Sequence, residues 1–263
     1  MKIRKSAVSG TFYPNNIKEL LEYFEHFNQK SLKKEIQTKE VKAIIAPHAG
    51  YVYSGFTANE AYKSVNRKDI KRIFVIGPSH RVYLEGASIA LFEEFETPLG
   101  NLKIDVEYSK MLENEFEELS FNPQAHSEHS TETQMPFIKH YFPNVEVVEI
   151  VYGKIDFLKL SQIISKIMLK SENFVVISTD LSHFYSQEDA NYLDAIFLKG
   201  VQDLDTEKLN SGCEACGMIG VKAMIHYAKK HNLKTEILDY RTSMDASKDA
   251  SRVVGYASVL IGT

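Results

Sequence analysis

The sequence predicts an α/β fold with a mainly parallel or mixed central sheet that is flanked by helices. Two observations support this prediction. Short apolar runs rich in Val and Ile recur along the 263 residues, and segments with helical spacing separate them. Most runs are nearly continuous instead of alternating with polar residues, which is typical of strands covered on both faces. The chain has no evident linker, low-complexity tract or internal repeat, so we expect residues 1–263 to form a single domain.

The predicted elements follow one another in an order that suits crossover connections. Strands are predicted at 41–47, 72–77, 87–92, 145–152, 174–179, 237–242 and 253–261. Amphipathic helices are predicted at 16–28, 54–64, 130–141, 157–169, 187–201 and 218–231. A turn signature at 96–102 predicts an added β-hairpin and one antiparallel strand. The mixed Lys and Glu run at 30–42 is expected to form a solvated loop.

The composition and the motifs exclude several classes of function. The formal net charge is -4 and basic residues are scattered among acidic ones, which argues against nucleic-acid binding. The sequence shows no signal-peptide core and no apolar stretch of bilayer length, so we expect a soluble cytoplasmic protein. It also lacks a Gly-x-Gly-x-x-Gly fingerprint, a Walker loop and a Gly-x-Ser-x-Gly elbow. No nucleotide cofactor and no serine nucleophile is therefore expected.

The two cysteines, Cys213 and Cys216, form a Cys-x-x-Cys pair at a predicted loop-to-helix junction. Without a second pair they cannot form a structural zinc site of four thiolates within one chain. They are either a redox pair or two small buried residues at a helix start, and the second interpretation is favoured because free cysteine commonly behaves as a small apolar residue.

Three histidines stand where predicted strands end. His48 lies in Ala-Pro-His-Ala-Gly-Tyr, His80 in Gly-Pro-Ser-His, and His183 in Ser-Thr-Asp-Leu-Ser-His. In a parallel sheet all three would gather along one edge, where open α/β folds place their ligand sites. A single histidine in such a turn would more often hydrogen-bond its own turn, but three in equivalent places predict a metal or acid/base site. Two neutral imidazoles are a start toward a site for Fe, Zn or Cu.

Candidates for the further ligands or catalytic groups are Asp180, His183, Glu128, His129, Glu132, Met244 and Asp245. Two histidines and one carboxylate would favour ferrous iron. Asp180 and His183 also fit a carboxylate that orients an acid/base imidazole, although Asp180 fits a turn cap equally well. The His126-x-x-His129 spacing is weak evidence alone, and His129 gains weight only if the fold brings it to the rim that carries His48 and His80.

Several motifs taken together resemble the Memo family. They occur in the expected order at 7–14, 46–55, 77–80, 128–137, 178–183, 216–217 and 254–257. The resemblance implies a fold similar to the catalytic subunit of class III extradiol dioxygenases, which are non-haem iron enzymes that cleave catechol rings. It also implies partners of the radical-SAM and AMMECR types, with which microbial relatives are often encoded.

The resemblance also implies roles for individual residues. His48 and His80 would bind the metal, and His183 would be the catalytic imidazole. His129 would lie behind the ligands with Asp180 beside them, and both are expected to take part in catalysis. The dioxygenases supply a glutamate as the remaining ligand and the animal Memo proteins a cysteine. The matching stretch here is taken to be Thr242-Ser243-Met244-Asp245-Ala246. Met244 is therefore the nearest counterpart, a soft ligand that suits Cu(I), and Asp245 is the alternative.

The sequence is compatible with two functions. The first is a metal-dependent oxidoreductase or dioxygenase-like enzyme that holds iron or copper and acts on an unknown small molecule or peptide. The second is a non-catalytic scaffold that keeps the cleft to bind a peptide or protein or to carry a metal. A metal-assisted hydrolase carries less weight because no second carboxylate cluster for a two-metal site is evident. Neither nucleic acid nor membrane is an expected partner.

Overall fold

The computed structural model describes residues 3–31 and 35–263, so residues 32–34 of the predicted solvated loop lie outside the described chain. The strands in the described ranges are β1 (Ile3–Arg4), β2 (Val41–Ala46), β3 (Arg72–Pro78), β4 (Ala87–Ile89), β5 (Glu94–Phe95), β6 (Leu102–Ile104), β7 (Leu119–Ser120), β8 (Glu146–Tyr152), β9 (Asn173–Ser178), β10 (His183–Tyr185), β11 (Lys234–Thr242) and β12 (Val253–Gly262). The helices are α1 (Ile17–Lys30), α2 (Tyr51–Lys63), α3 (Val106–Glu115), α4 (His129–Glu132), α5 (Met135–Tyr141), α6 (Phe157–Ile167), α7 (Gln187–Gln202), α8 (Met218–Lys230) and α9 (Met244–Ser247), with a 3-10 turn at Lys208–Asn210.

The strands form one mixed sheet with helices on both faces, which confirms the predicted fold class. Its order is β1-β5-β6-β8-β3-β9-β2-β12-β10, with β11 also paired to β12 and β4 to β8. The four central strands β8, β3, β9 and β2 are mutually parallel. The predicted hairpin is confirmed by the antiparallel pair β5–β6, and β12 is antiparallel to β2.

The central strands are apolar on both faces because each face supports a separate layer of helices. On β3, Phe74 and Ile76 face a core that includes residues of α6 and α8, whereas Ile73 and Val75 face a core that includes residues of α1, α2 and α5. This alternation explains why the apolar runs are continuous: successive side chains point to opposite faces, and both faces are buried.

The helix starts follow ordinary capping chemistry. The side chain of Asn16 accepts a hydrogen bond from the Glu19 amide at α1, and Asp156 and Ser186 cap α6 and α7 in the same way. The helix predicted at 130–141 is wrong in one respect, because the structure divides it into α4 and α5. Pro136 stands in the first turn of α5, where its missing amide hydrogen costs nothing, whereas a continuous helix would have placed it inside.

The topology places the carboxyl ends of β3, β9 and β2 side by side, since β9 pairs with both of the others. The turns that leave these three strands begin at Ser79, Thr179 and Pro47. Two of them carry His80 and His48 within two residues. Across the described ranges no helix combines the length and the apolar character needed to cross a membrane.

Candidate metal centre

Three histidines meet at this edge of the sheet. His48, His80 and His129 each offer a ring nitrogen, and these nitrogens all lie within 4.8 Å of one another. The ring centroids are 4.5 Å apart for His80 and His129, 5.3 Å for His48 and His80, and 5.4 Å for His48 and His129. His48 is buried, whereas His80 is exposed and His129 partly exposed. The group can therefore be reached from solvent on the side of His80.

The hydrogen bonds around Ser178 fix the tautomer of His48. The Ser178 hydroxyl donates its single hydrogen to the carbonyl oxygen of Ser130 at 2.5 Å and accepts from Nε2 of Gln134 at 2.9 Å. Because that hydrogen is already used, His48 Nδ1, 2.9 Å from the same hydroxyl, must be the donor. The lone pair of His48 is then on Nε2, the nitrogen that remains for a metal.

A single carboxylate, Glu128, holds the other two imidazoles. Its Oε1 lies 3.1 Å from His80 Nδ1 and 2.8 Å from His129 Nδ1, and its Oε2 accepts from the His80 backbone amide at 2.6 Å. An ionised carboxylate only accepts hydrogen bonds, so both Nδ1 atoms donate and both Nε2 atoms keep their lone pairs. Proteins commonly orient an imidazole toward a metal in this way, with a carboxylate that accepts a hydrogen bond from the other ring nitrogen.

The electrostatics of the site are compatible with cation binding. Burial lowers the pKa of His48 to about 4, with the neighbouring His80 and His129 acting in the same direction and the charge on Asp180 opposing them. Burial by itself would raise the pKa of Glu128, but hydrogen bonds from His129, His80 and Ser130 outweigh it and hold that pKa well below its usual range. At neutral pH the site therefore presents a neutral His48 in front of a charged Glu128, and metals bind neutral imidazole.

Local packing explains why α4 reaches the sheet edge. A Cβ on Gly77 would lie 2.7 Å from Ser130 Oγ, so glycine is needed for α4 to approach β3 this closely. Ser130 Oγ also donates to the carbonyl oxygen of Pro78 at 2.6 Å. Both contacts place His129, the first residue of α4, beside the turn that carries His80.

The amino-terminal segment fastens α4 from the other side. Glu132, at the end of α4, pairs with the buried Arg4 and accepts hydrogen bonds from the Val8 amide at 2.8 Å and the Tyr13 hydroxyl at 2.9 Å. The ring of Phe12 lies 4.9 Å from that of His129. The segment that starts the chain therefore forms one wall of the site.

His126, the other histidine of the His-x-x-His spacing, has a separate role. Its Nδ1 contacts Glu149 Oε2 at 2.8 Å and its Nε2 contacts Ser88 Oγ at 2.8 Å. Both ring nitrogens are occupied, so His126 is a buried structural histidine and only His129 of that pair reaches the site.

Asp180 lies beside His48 instead of forming a pair with His183. Its Oδ1 accepts hydrogen bonds from the backbone amides of His48 at 2.7 Å and Ala49 at 3.3 Å. Its Oδ2 lies 3.9 Å from His48 Nε2. The described contacts make Asp180 a clamp on the turn after β2, and its proposed part in catalysis stays a prediction.

His183 lies outside the three-histidine group, although the sequence placed it with His48 and His80. It begins β10, which pairs with β12 at the edge of the sheet. Its side chain lines a cavity of about 550 Å³ together with Cys213, Cys216 and Lys222. His183 and Cys216 line the same cavity. The catalytic role expected for His183 also stays a prediction.

Cys216 lies next to the three histidines, although its sequence position did not make it a candidate ligand. Its Sγ lies 3.2 Å from His48 Nε2 and 3.2 Å from the Asp180 amide, which donates to it. Burial raises the pKa of this thiol to about 12, so it is protonated without a metal. The Cys216-Gly217 pair is the sequence signal for this position. A Cβ on Gly217 would lie 2.5 Å from Thr179 Cβ, so glycine is needed for the turn that carries Cys216 to pack on the end of β9.

The expected third ligands, Met244 and Asp245, lie on the short helix α9. Met244 is 37% exposed, and Asp245 accepts a hydrogen bond from the Thr242 amide and borders a different cavity with residues of α1 and α2. Within the described residues, the third member of the candidate metal group is His129, which was expected behind the ligands, and the nearby thiol belongs to Cys216.

The donor set fits a transition metal. Three imidazoles suit Zn, Cu, Fe or Ni, whereas Mg and Ca prefer oxygen ligands. The thiol beside His48 adds a preference for a soft ion if it loses its proton. We therefore regard His48, His80 and His129 as the residues that would hold the metal.

Together the fold and the site define an α/β protein with a three-histidine centre at the carboxyl edge of its parallel strands. The family model described as Memo-like protein matches residues 4–260. A MEMO1 family protein of Thermoplasma volcanium is 32% identical, and the alignment covers 98% of each chain. A MEMO1 family protein of Methanocaldococcus jannaschii is 33% identical over 99% of each chain, and one of Aquifex aeolicus is 30% identical over 99% of each. The chain belongs to the Memo family, as its motifs predicted.

Proposed function

We propose that this protein is a cytoplasmic metal-dependent oxidoreductase, similar to dioxygenases, that binds iron or copper at His48, His80 and His129. The observation that supports this most is the arrangement of the three rings. Each Nδ1 has a hydrogen-bond partner that fixes the tautomer, and each Nε2 remains for the metal. A bound iron or copper would supply the electron transfer that these side chains cannot provide.

The protein's own residues would orient the reactants. Glu128 holds two of the ligands, Asp180 holds the turn that carries the third, and Phe12 shields one side of His129. His183 faces the cavity beside Cys216, where a substrate of modest size has room. In this proposal His183 is the acid or base that moves a proton to or from that substrate.

The metal content of the protein tests the first part of the proposal. Protein purified without oxygen would be measured by elemental mass spectrometry for the parent, for the double variant His48→Ala with His80→Ala, and for His226→Ala. His226, on α8, packs near Phe157 of α6 and serves as the matched control. We expect near-stoichiometric iron or copper in the parent and the control and its loss in the double variant. A parent that stays metal-free after anaerobic loading with Fe(II) or Cu(I) would overturn the proposal.

A second candidate function is a metal carrier or binding scaffold that catalyses nothing. It is supported by the donor set, because the three-histidine group contains no carboxylate and a thiol stands next to it. Such a set suits a carried Cu(I) ion. Oxygen-dependent turnover of a catechol that His183→Gln abolishes would favour the enzyme, whereas bound metal with no turnover would favour the carrier.

The family resemblance also supports a proposal about partners of the radical-SAM and AMMECR types. Co-purification of such proteins with this chain from its native cell would test it, with the double histidine variant used to ask whether the metal centre matters for the association.

A further inference from the structure

A second buried carboxylate lies behind His183, where the sequence had suggested Asp180. Asp194, on α7, has no exposed surface. Its Oδ1 accepts a hydrogen bond from the Ser182 amide at 3.0 Å, and its Oδ2 accepts from the Tyr240 hydroxyl at 2.8 Å. Ser182 immediately precedes His183, so this carboxylate holds the turn from which the imidazole projects.

The backbone of β12 is shaped around the same carboxylate. A Cβ on Gly255 would lie 1.9 Å from Asp194 Oδ2, so no other residue fits there without displacing Asp194. Gly255 also joins the turn directly: its amide donates to the Ser182 carbonyl oxygen at 2.9 Å, and its carbonyl oxygen accepts from the Leu181 amide at 2.8 Å. Glycine is thus required at the point where strand, turn and carboxylate meet.

The two aspartates have separate roles at this edge of the sheet. Asp180 Oδ1 accepts hydrogen bonds from the His48 and Ala49 amides, whereas Asp194 accepts one from the Ser182 amide in the turn before His183. An apolar side chain in place of Asp194 would leave the buried Ser182 amide and the Tyr240 hydroxyl without this acceptor, so a polar acceptor is needed below this turn. A neutral amide oxygen could accept the same bonds, so what the carboxylate adds is a negative charge close to the neighbouring imidazole.

We propose that Asp194 is the positioning residue for His183: it holds the turn 181–183 so that the imidazole faces the cavity beside Cys216, and its charge favours the protonated ring. The inference rests on the proposed function for the role of His183, but it concerns a contact network that exists without the metal. Burial raises the pKa of Asp194, and the Ser182 amide, the Tyr240 hydroxyl and the charge on His183 oppose that rise.

Other ionisable groups also surround His183 and must stay constant in a test. Those nearby are Tyr185 on its own strand, Arg252 over the neighbouring Phe184 ring, Tyr240 beyond Asp194, and Cys213, Glu214, Cys216 and Lys222 around the cavity. Replacing Asp194 with Asn leaves all of them in place and keeps a side chain of the same shape.

The test is an NMR titration of the histidine Cε1–H signals in metal-free protein, with His183→Gln used to assign the signal. In Asp194→Asn we expect the pKa of His183 to fall by about half a unit or more, because a nearby negative charge is lost. The signal of His226, on another helix, should titrate as in the parent. An unchanged His183 titration in a folded Asp194→Asn protein would overturn the inference.

Tyr240→Phe provides a second variant if Asp194→Asn does not fold. It keeps the carboxylate but removes one of its two hydrogen bonds, so we expect the His183 signal to shift while that of His226 does not. A His183 signal identical to the parent's would count against the inference.

Metal content separates this inference from the proposed function, since Asp194→Asn should bind as much metal as the parent. A parent without metal would remove the proposed function and leave the titration result standing.

Discussion

At the scale of single residues, Glu128 does most to define the candidate metal centre, because one carboxylate fixes the tautomers of two imidazoles. Glutamine at this position would keep the shape, but its amide group also donates hydrogen bonds and can no longer force both Nδ1 atoms to donate. Orienting groups behind metal ligands typically change affinity 10–100-fold when they are replaced.

We therefore expect Glu128→Gln to bind metal about 10–100-fold more weakly than the parent while keeping its far-ultraviolet circular dichroism spectrum. Affinity would be measured by competition with a chelator of known strength. Glu85→Gln is the control, because Glu85 is an exposed carboxylate that contacts Tyr83 and Lys154. Equal affinities in the two variants would show that Glu128 does not orient the ligands.

Cys216 leads to a second prediction at this scale. Its thiol already touches His48 Nε2, so a bound metal that lowers the thiol pKa should recruit it as a ligand. Cobalt(II)-loaded parent protein should then show a thiolate-to-metal charge-transfer band in the near-ultraviolet, and Cys216→Ser should lack it. Cys213→Ser should retain the band, because Cys213 donates instead to the Leu209 carbonyl oxygen. A band that survives in Cys216→Ser would exclude this thiol from the coordination sphere.

Two of the three candidate ring ligands could be predicted from the sequence, because their place along the chain determines their place in the sheet. His48 and His80 follow apolar runs within two residues of the strand ends, so the chain direction alone places them at the carboxyl edge. His129 and Cys216 come from a helix start and a loop. Their position depends on packing at Gly77 and Gly217, which strand spacing and chain direction do not report, and only the Cys216-Gly217 pair gives a local signal of it.

At the scale of elements, the short helix α4 depends on the amino-terminal segment. Four residues cannot hold a helix by themselves, and Glu132 at its end is stabilised by Arg4, which also stacks on the ring of Phe95 with its guanidinium 4.3 Å from the ring centroid. A second nitrogen of Arg4 donates to the Glu128 carbonyl oxygen at 3.1 Å. The segment therefore supports His129 through the helix that carries it.

Arg4→Ala should destabilise the protein by about 3–5 kcal/mol, because it leaves the buried Glu132 charge without its cation. Urea unfolding followed by circular dichroism would measure the loss. Lys5→Ala is a matched neighbour, since Lys5 pairs with Glu96 at the surface, where ion pairs contribute little. Unfolding midpoints that match in the two variants would contradict the role given to Arg4.

The elements differ in how well the sequence predicts them. The central strands are clear because continuous β-branched runs have few alternatives when both faces are buried. The run predicted at 87–92 ends at Ile89 in the structure, where β4 stops pairing with β8. The end of β4 is therefore set by its pairing with β8. The residues that follow are as apolar as those within the strand, so the sequence does not show where it ends.

At the scale of the whole molecule, the candidate centre joins parts of the chain that only the complete fold brings together. His48 follows β2, His80 follows β3, and His129 begins α4. Strand β9, which comes later in the sequence than all three, must insert between β2 and β3 before the first two can occupy the same edge. An unfolded chain cannot hold the three rings in this geometry.

Metal binding should therefore stabilise the folded chain by mass action, since the site exists only in the folded state. At a free metal concentration about 100-fold above Kd the expected gain is about 2.7 kcal/mol. Scanning calorimetry should show a higher Tm for the loaded parent than for the parent with chelator. The difference should vanish in His48→Ala with His80→Ala and persist in His226→Ala. An equal rise in Tm in the double variant would mean that the stabilising metal binds elsewhere in the molecule. The double variant therefore distinguishes binding at His48 and His80 from nonspecific binding by the other histidines.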